Sequence, residues 1–253
     1  MGKKDGRLNE IGVSSQGEKM TIVRYGGVRD IDIQFEDGTI VEHKRYDNFL
    51  KGNIKNPYFP TIYGFGCIGI GDFKSKDENG KNTKCYETWF GMYQRCYDPK
   101  YHKKFPTYKN CKVCQLWNNY QEFAKWDNEN YYEVGNERMD LDKDILKKGN
   151  KVYSPETCIY VPHSINVLFT KRNNERGELP IGVTKNGNNF IARLNKGNGK
   201  QISLGTYSTV EEAFQAYKRA KEEYIKEVAN KYKLLIPQKL YEALMNYEVE
   251  VDD

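Results

Sequence analysis

The pattern that most constrains the fold lies in residues 179–232, where strand-like segments, turns and a long helical repeat follow one another. Segments 181–185 and 190–195 flank Asn186-Gly187, which favours a tight β-hairpin, and a Gly-rich turn at 196–200 leads to a third strand at 201–205. Thr209 and Glu212 have the spacing of a helix capping box. Apolar side chains then recur every three or four residues from 210 to 232, so one face of a long helix can pack on the sheet. The predicted order is βββα.

Residues 83–172 carry aromatic side chains at helical spacing. The pairs Tyr86/Phe90 and Trp89/Tyr93 predict a helix that ends before Pro99, and the aromatic residues between 117 and 126 predict a second helix within 114–128. We interpret both stripes as core rather than as binding surface, because aromatic side chains supply the largest buried apolar area.

Residues 1–80 predict a small β module with a Gly-rich connector. Segments 20–25, 30–35 and 39–46 alternate apolar and polar residues, and Glu36-Asp37-Gly38 forms a turn between the last two. Glycines and prolines between 52 and 71 interrupt regular structure. This bent unit either binds nucleic acid or protein or braces its neighbour.

The charge of the chain is unevenly distributed. The net charge is +5, but residues 171–239 hold 14 Lys and Arg against 7 Asp and Glu, whereas residues 240–253 hold five acids and no base. A basic block followed by an acidic tail suggests a module that binds a polyanion, with a frayed tail that competes for its surface. The alternative is that these charges are solvated side chains on helix surfaces.

The sequence also bears on location. No apolar run reaches the length of a membrane span, and the start of the chain lacks a signal-peptide core, so we expect a cytoplasmic protein.

The six cysteines are expected to be reduced thiols, since no secretory signal is evident. Cys111-x-x-Cys114 has the spacing of half a structural zinc site, which Cys96, Cys158 or His102 would complete. The alternative is that these thiols are buried packing residues.

Several short patterns in residues 83–172 together resemble the HNH nucleases of phages. They are Trp89-x-x-Met92-x-x-Arg95-Cys96, Val113-Cys114-x-x-Trp117, Leu141-Asp142-Lys143-Asp144, the segment 153–160 and Ile165-Asn166. The resemblance implies a ββα fold in which an Asp and a helical His or Asn hold one divalent cation on the scissile phosphate. It also implies that a His beside the Asp deprotonates the attacking water and that a loop Asn orients that His. Oxygen ligands and a base that titrates near neutral pH suit this chemistry.

Carried over by position, the resemblance assigns Asp142 and Asn166 as ligands of Mg²⁺ or Mn²⁺. Lys143 stands where the general-base His belongs, and Thr157 stands where the orienting Asn belongs. A lysine is normally charged at pH 7, so Lys143 either has a strongly lowered pKa or binds phosphate as a fixed cation. Asp144 and His163 are the alternative bases.

Residues 179–232 resemble an AP2 DNA-binding domain, whose three-stranded sheet enters the major groove. The matching residues are Gly182-Val183, the segment 190–193 (FIAR), the segment 204–207 (LGTY), Thr209-x-Glu211-Glu212-Ala213 and Ala216-Tyr217. The resemblance implies a polar DNA-contacting sheet, and we assign DNA binding to Lys185, Arg193, Asn195, Lys200 and Gln201, with Lys171 and Arg172 in the connecting segment. An arginine is the side chain best suited to contact a guanine.

Together these observations predict an α+β protein with four segments: a β module (1–80), an HNH-like domain (83–172), an AP2-like domain (173–237) and a short helix with an acidic tail (238–253). The leading hypothesis is a phage-type, DNA-binding protein in the cytoplasm of a bacterial host, with duplex DNA as its partner and metal-dependent cleavage as its candidate activity. The alternative, from a different class, is a non-catalytic protein that reuses this scaffold to bind or inhibit a host defence protein.

Overall fold

The computed structural model describes residues 6–170, 179–196 and 201–251, and these form a mixed α+β fold. The chain divides into two compact units, residues 1–127 and 128–253. The boundary falls inside the segment 83–172, which was predicted to be one HNH-like domain. Its two aromatic helices lie almost entirely in the first unit, whereas its hairpin and short helix lie in the second. None of the described helices is long and apolar enough to cross a membrane.

The first unit begins with a four-stranded antiparallel sheet in the order β1-β2-β3-β4, followed by helix α1. The three predicted strands are confirmed, and a short strand precedes them. The bounds are Ile11–Val13 (β1), Lys19–Gly27 (β2), Asp30–Phe35 (β3), Ile40–Lys44 (β4) and Tyr46–Leu50 (α1). Alternation buries one face of β2 and β3, where Met20, Ile22, Ile31 and Ile33 are fully buried, as a half-buried antiparallel sheet requires.

The rest of the first unit is built on the two predicted helices, both of which are confirmed. Its elements are Lys84–Tyr97 (α2), Pro99–Lys104 (α3), Lys112–Val113 (β5) and Tyr120–Asn130 (α4). The aromatic stripes form core, because Trp89, Trp117 and Phe123 are fully buried and the Trp89 indole N–H donates to the Trp117 carbonyl at 2.7 Å. The Gly-rich connector packs on this core. A Cβ on Gly66 would lie 2.9 Å from the Trp89 ring, so only glycine fits there.

The second unit contains a hairpin with a short helix, a three-stranded sheet and two further helices. Its elements are Met139–Asp142 (β6), Val152–Tyr153 (β7), Ile159–Pro162 (β8), His163–Asn166 (α5), Val183–Asn186 (β9), Asn189–Asn195 (β10), Gln201–Tyr207 (β11), Val210–Tyr232 (α6) and Gln238–Met245 (α7). The βββα prediction is confirmed: the sheet order is β11-β10-β9, and Thr209 and Glu212 form both bonds of the capping box.

Helix α6 joins two hydrophobic cores of the second unit. Its N-terminal half packs Ala213, Phe214 and Tyr217 against the inner face of the three-stranded sheet. Its C-terminal half packs Ile225 and Val228 against the β6–β8 hairpin, α5 and α7. The predicted AP2-like and HNH-like segments therefore share a helix rather than forming separate cores.

The expectation of a frayed acidic tail is wrong as far as Val251, where the description ends. Val249 is 3% exposed and belongs to the sheet core, and its N–H donates to Glu222 Oε1 at 2.9 Å. Lys218 Nζ donates to the Val249 carbonyl at 2.8 Å. These contacts place residue 249 on the helix side of the sheet, so this part of the tail does not cover the outer face.

Candidate functional site

The register of the β6–β8 hairpin decides which acidic side chain approaches helix α5. Asp140 pairs with Val161, two residues before His163, whereas Asp142 pairs with Ile159. Both carboxylates are on one face of β6, because side chains alternate along a strand. Only Asp140 lies level with the start of α5, and the His163 N–H donates to the Arg138 carbonyl at 2.8 Å to continue the ladder.

Asp140, His163, Asn166 and Arg138 form one hydrogen-bonded group, which we call the Asp140 cluster. His163 Nδ1 lies 2.6 Å from Asp140 Oδ2, and Asn166 Nδ2 donates to the same oxygen at 3.0 Å. Arg138 Nε donates to the other oxygen, Oδ1, at 2.9 Å, and Arg138 Nη2 lies 2.6 Å from His163 Nδ1. A carboxylate, an imidazole and an amide thus meet at one point of the second unit.

The electrostatics of Asp140 favour its charged form. Burial by itself would raise the pKa of Asp140, but the contacts with His163, Asn166 and Arg138 outweigh it and lower the pKa below its ordinary value. The His163 side chain is 45% exposed, so its ring is accessible to solvent while its Nδ1 is held by the carboxylate. This arrangement suits a histidine that receives a proton.

One carboxylate oxygen of Asp142, which the resemblance assigns as a metal ligand, closes a turn in the structure. Asp142 Oδ1 accepts the backbone N–H groups of Asp144 and Ile145 at 2.8 and 2.7 Å, which closes the turn after β6. Burial, followed by the charge of Asp144, raises the pKa of Asp142 to about 6. The Asn166 amide donates to Asp140, so among the described hydrogen bonds it is Asp140 that Asn166 contacts, and metal binding by Asp142 and Asn166 stays a prediction.

The two residues that depart from the nuclease pattern make local contacts. Lys143, which stands at the general-base position, is 6% exposed and its Nζ lies 3.0 Å from Asp144 Oδ2. Thr157 donates its hydroxyl to the Val152 carbonyl at 2.9 Å. Asp144, an alternative base, is therefore paired with Lys143, whereas His163, the other alternative, belongs to the Asp140 cluster.

A second hydrogen-bonded group ties the cluster to helix α6. Glu137 accepts from the Ser164 hydroxyl at 2.6 Å and from the Tyr232 hydroxyl, and the two hydroxyl oxygens lie 2.9 Å apart. Burial would raise the pKa of Glu137, but the bonds from Ser164 and Tyr232 lower it. Ser164 follows His163 in α5, so the last turn of α6 fixes the helix that presents the imidazole.

The three-stranded sheet separates the predicted DNA-contacting residues between its two faces. Arg193 pairs with Ser203 and Asn195 with Gln201, and these four side chains are exposed on the face opposite the core. Lys185 pairs with Phe190, whose ring packs on the core, so Lys185 lies on the other face. Lys171, Arg172 and Lys200 fall outside the described residues.

The first unit holds a separate group of metal-ligand types. Single donor atoms of Asp30, Asp32 and His43 all lie within 4.8 Å of one another, so this triad could hold a metal ion. Arg24 is already bound there: its guanidinium donates to both carboxylates, including 2.7 Å to Asp30 Oδ1 and 2.8 Å to Asp32 Oδ1. These bonds lower the pKa of both carboxyls, and Arg24 would have to release carboxylate oxygens before an ion could bind there.

The cysteines of the predicted zinc set are all thiols, and zinc binding stays a prediction. Cys96, Cys111 and Cys158 are buried, and Cys114 is half-buried.

Comparison of the chain with family models, curated proteins and solved structures found no match. The functional assignment therefore depends on the geometry. Sequence reasoning missed Asp140, Arg138, Glu137 and Tyr232. The alternation in Asp140-Leu141-Asp142 placed two acids on one face, but only the register of the hairpin shows which of them meets α5.

Proposed function

We propose that this chain is a phage-type DNA-binding protein that contacts duplex DNA through the outer face of β9–β11 and cleaves it, with a divalent cation, at the Asp140 cluster. The observation that carries the proposal is the meeting of Asp140 with both His163 and Asn166. It supplies the acid, histidine and asparagine that the HNH resemblance requires, with Asp140 in place of Asp142.

The cluster provides donors of the type that Mg²⁺ and Mn²⁺ take. The Asp140 carboxylate and the Asn166 amide oxygen would hold the cation, which when bound stabilises charge on the phosphate. Arg138 donates to Asp140 Oδ1 and its Nη2 lies against His163 Nδ1, so it would have to release both atoms. His163, with Nδ1 held at Asp140, would accept a proton from water at Nε2, and Asp140 would stabilise the resulting imidazolium. Removing such a base typically costs about 10²–10⁴-fold in rate.

The outer face of the sheet has the side-chain types that contact DNA. Arg193 can donate two bonds to a guanine, and Asn195 and Gln201 can each pair with an adenine edge. These residues lie on adjacent strands in register, as a surface that follows a groove requires. The face carries little charge apart from Arg193, so it suits base contacts better than general attraction to phosphate.

A second candidate, the non-catalytic protein that binds a host protein, is favoured by a specific observation. Arg138 neutralises Asp140 by an ion pair at 2.9 Å, and the general-base position is a buried lysine paired with Asp144. Because Arg138 already pairs with the Asp140 carboxylate, the fold does not need a bound cation at Asp140 to be stable.

Plasmid nicking with Mg²⁺ or Mn²⁺ tests the catalytic half of the proposal. We expect wild type to nick supercoiled DNA, and we expect Asp140→Asn and His163→Gln to lose at least 100-fold, about the cost of removing a general base. Asp142→Asn is the matched control, because it makes the same change two residues along the strand and should retain activity. Loss in Asp142→Asn but not in Asp140→Asn would return the site to the motif assignment. Absence of nicking by wild type would reject catalysis and favour the second candidate.

Binding of a duplex panel tests the DNA-binding half. Arg193→Ala should weaken binding to the preferred sequence by about 1–3 kcal/mol and relax its specificity. Lys185→Ala, a cation removed from the opposite face, should leave specificity unchanged. Equal effects of the two variants would reject the outer face as the surface that contacts the bases.

A further inference from the structure

One short segment of the first unit carries several lysines and no acidic residue. Residues 99–121 contain five lysines and no Asp or Glu, and the five are Lys100, Lys103, Lys104, Lys109 and Lys112. The whole chain has 40 Lys and Arg against 35 Asp and Glu, so the residues outside this segment hold 35 of each and are neutral together.

Three of these lysines share one face of helix α3. At 100° per residue, Lys100, Lys103 and Lys104 fall within an arc of about 100°. His102 lies on the opposite side, where its Nε2 is 2.9 Å from the Arg95 carbonyl of α2. The helix is therefore anchored through His102 and presents the three lysines, all exposed, to solvent. We call Lys100, Lys103 and Lys104 the α3 lysine face.

No acidic partner compensates this face within the described parts of the chain. None of the five lysines makes an ion pair there, and Lys104 Nζ instead lies 5.2 Å from the centre of the exposed Phe105 ring. Helix α6 shows the contrasting case. It carries five basic and five acidic residues, and Lys218 pairs with Glu222 at 3.1 Å. The α3 face keeps its full charge available for a ligand.

Aromatic packing holds the segment in shape. The Tyr101 ring lies 4.8 Å from that of Phe105 and 5.8 Å from that of Tyr108, so α3 folds against the turn that follows it. The Asp98 side chain caps α3 by accepting the Lys100 N–H at 2.8 Å. Lysines on an ordered support lose less freedom on binding than lysines on a loose strand.

We propose that the α3 lysine face, with Lys109 and Lys112 beside it in the sequence, is a second DNA-contacting surface that binds the phosphate backbone of duplex DNA. Lysine is a flexible point charge that suits phosphate without reading base edges. This surface supplies sequence-independent affinity, whereas the outer face of β9–β11 supplies base contacts. The inference rests on the proposed DNA-binding function and assigns its electrostatic part to a different unit of the chain.

The test compares salt-dependent binding of two triple variants of the full chain to a labelled duplex of arbitrary sequence. Lys100→Gln/Lys103→Gln/Lys104→Gln removes the α3 lysine face. The matched control, Lys19→Gln/Lys44→Gln/Lys51→Gln, removes three exposed lysines from the β module of the same unit. Each lost phosphate contact reduces the slope of log K against log salt by about 0.9, so the α3 variant should lose up to about 2.7 in slope. At 0.1 M salt its affinity should fall between about tenfold and 500-fold. The control should stay within about twofold of wild type, and thermal melting should confirm that both variants fold.

The outcomes separate this inference from the proposed function. If wild type binds duplex DNA and the α3 variant behaves as the control does, this surface is rejected while DNA binding stands. If the α3 variant loses affinity but Arg193→Ala changes nothing, this surface is supported and the outer sheet face is rejected. If wild type binds heparin or single-stranded RNA through this face but ignores duplex DNA, both DNA assignments are overturned.

Discussion

Asp142→Asn should change the pH dependence of stability, because the carboxylate of Asp142 closes a turn while partly desolvated. In the folded state, burial and the charge of Asp144 raise the pKa of Asp142 to about 6, against an ordinary value of 3.8 in the unfolded chain. Between these two values the folded state binds more protons than the unfolded state. The contribution of Asp142 to the free energy of unfolding is therefore present at low pH and is lost as pH rises through about 6.

The size of this effect follows from the two pKa values. A difference of about two units corresponds to about 3 kcal/mol between pH 4 and pH 7.5. Asparagine retains the oxygen that accepts the N–H groups of Asp144 and Ile145, but it does not titrate. The free energy of unfolding of Asp142→Asn relative to wild type should therefore rise by up to about 3 kcal/mol across this range.

Urea denaturation at several pH values measures this difference, and the comparison of the two proteins cancels the other titrating groups. Asp144→Asn is the control, because it removes the neighbouring charge but not the burial, and should reduce the pH dependence that Asp142 contributes without abolishing it. A difference that is constant with pH, or that falls as pH rises, would show that Asp142 is not held in a desolvated turn.

Two further substitutions test how the second unit is held together. Thr209→Ala removes the side-chain half of the capping box at the start of α6 and should cost about 1 kcal/mol in urea denaturation, whereas Thr206→Ala, on the exposed face of β11, should cost less. Tyr232→Phe removes the hydroxyl that bonds Glu137 and Ser164 and should cost about 1 kcal/mol, and it should also lower nicking activity, since it loosens α5 beside His163. Unchanged stability in either variant would contradict the corresponding contact.

Local patterns predicted the elements of this chain well, because each depends on nearby residues. The hairpin at Asn186-Gly187 and the cap at Thr209 need only a few neighbours to be recognised, and both are present. The aromatic helices were predicted for the same reason. The short strand β1 was missed because its three residues are too few to show an alternating pattern, and the side chains of Ile11 and Val13 are exposed in the structure.

Contacts between distant segments were beyond the reach of the sequence. The register of β6 against β8 decides which acid lies beside α5. If β6 slid by two residues, Asp142 would take the place that Asp140 now has. Similarly, the bonds of Tyr232 to residues 137 and 164 join segments that are 95 and 68 positions apart in the chain. The acidic tail was expected to be frayed because its charges are conspicuous, yet Tyr247 and Val249 dock it in the sheet core.

The most direct test of the Asp140 cluster is Mn²⁺ binding to the full chain, followed by electron paramagnetic resonance, in wild type and in single variants. The account predicts one site that Asp140→Asn and Asn166→Ala weaken at least tenfold and that Asp142→Asn leaves intact. Asp30→Asn should have little effect if the Asp140 cluster, rather than the group of Asp30, Asp32 and His43, is the site. Mn²⁺ binding that persists in Asp140→Asn, or that is lost in Asp30→Asn or Asp142→Asn instead, would contradict the account.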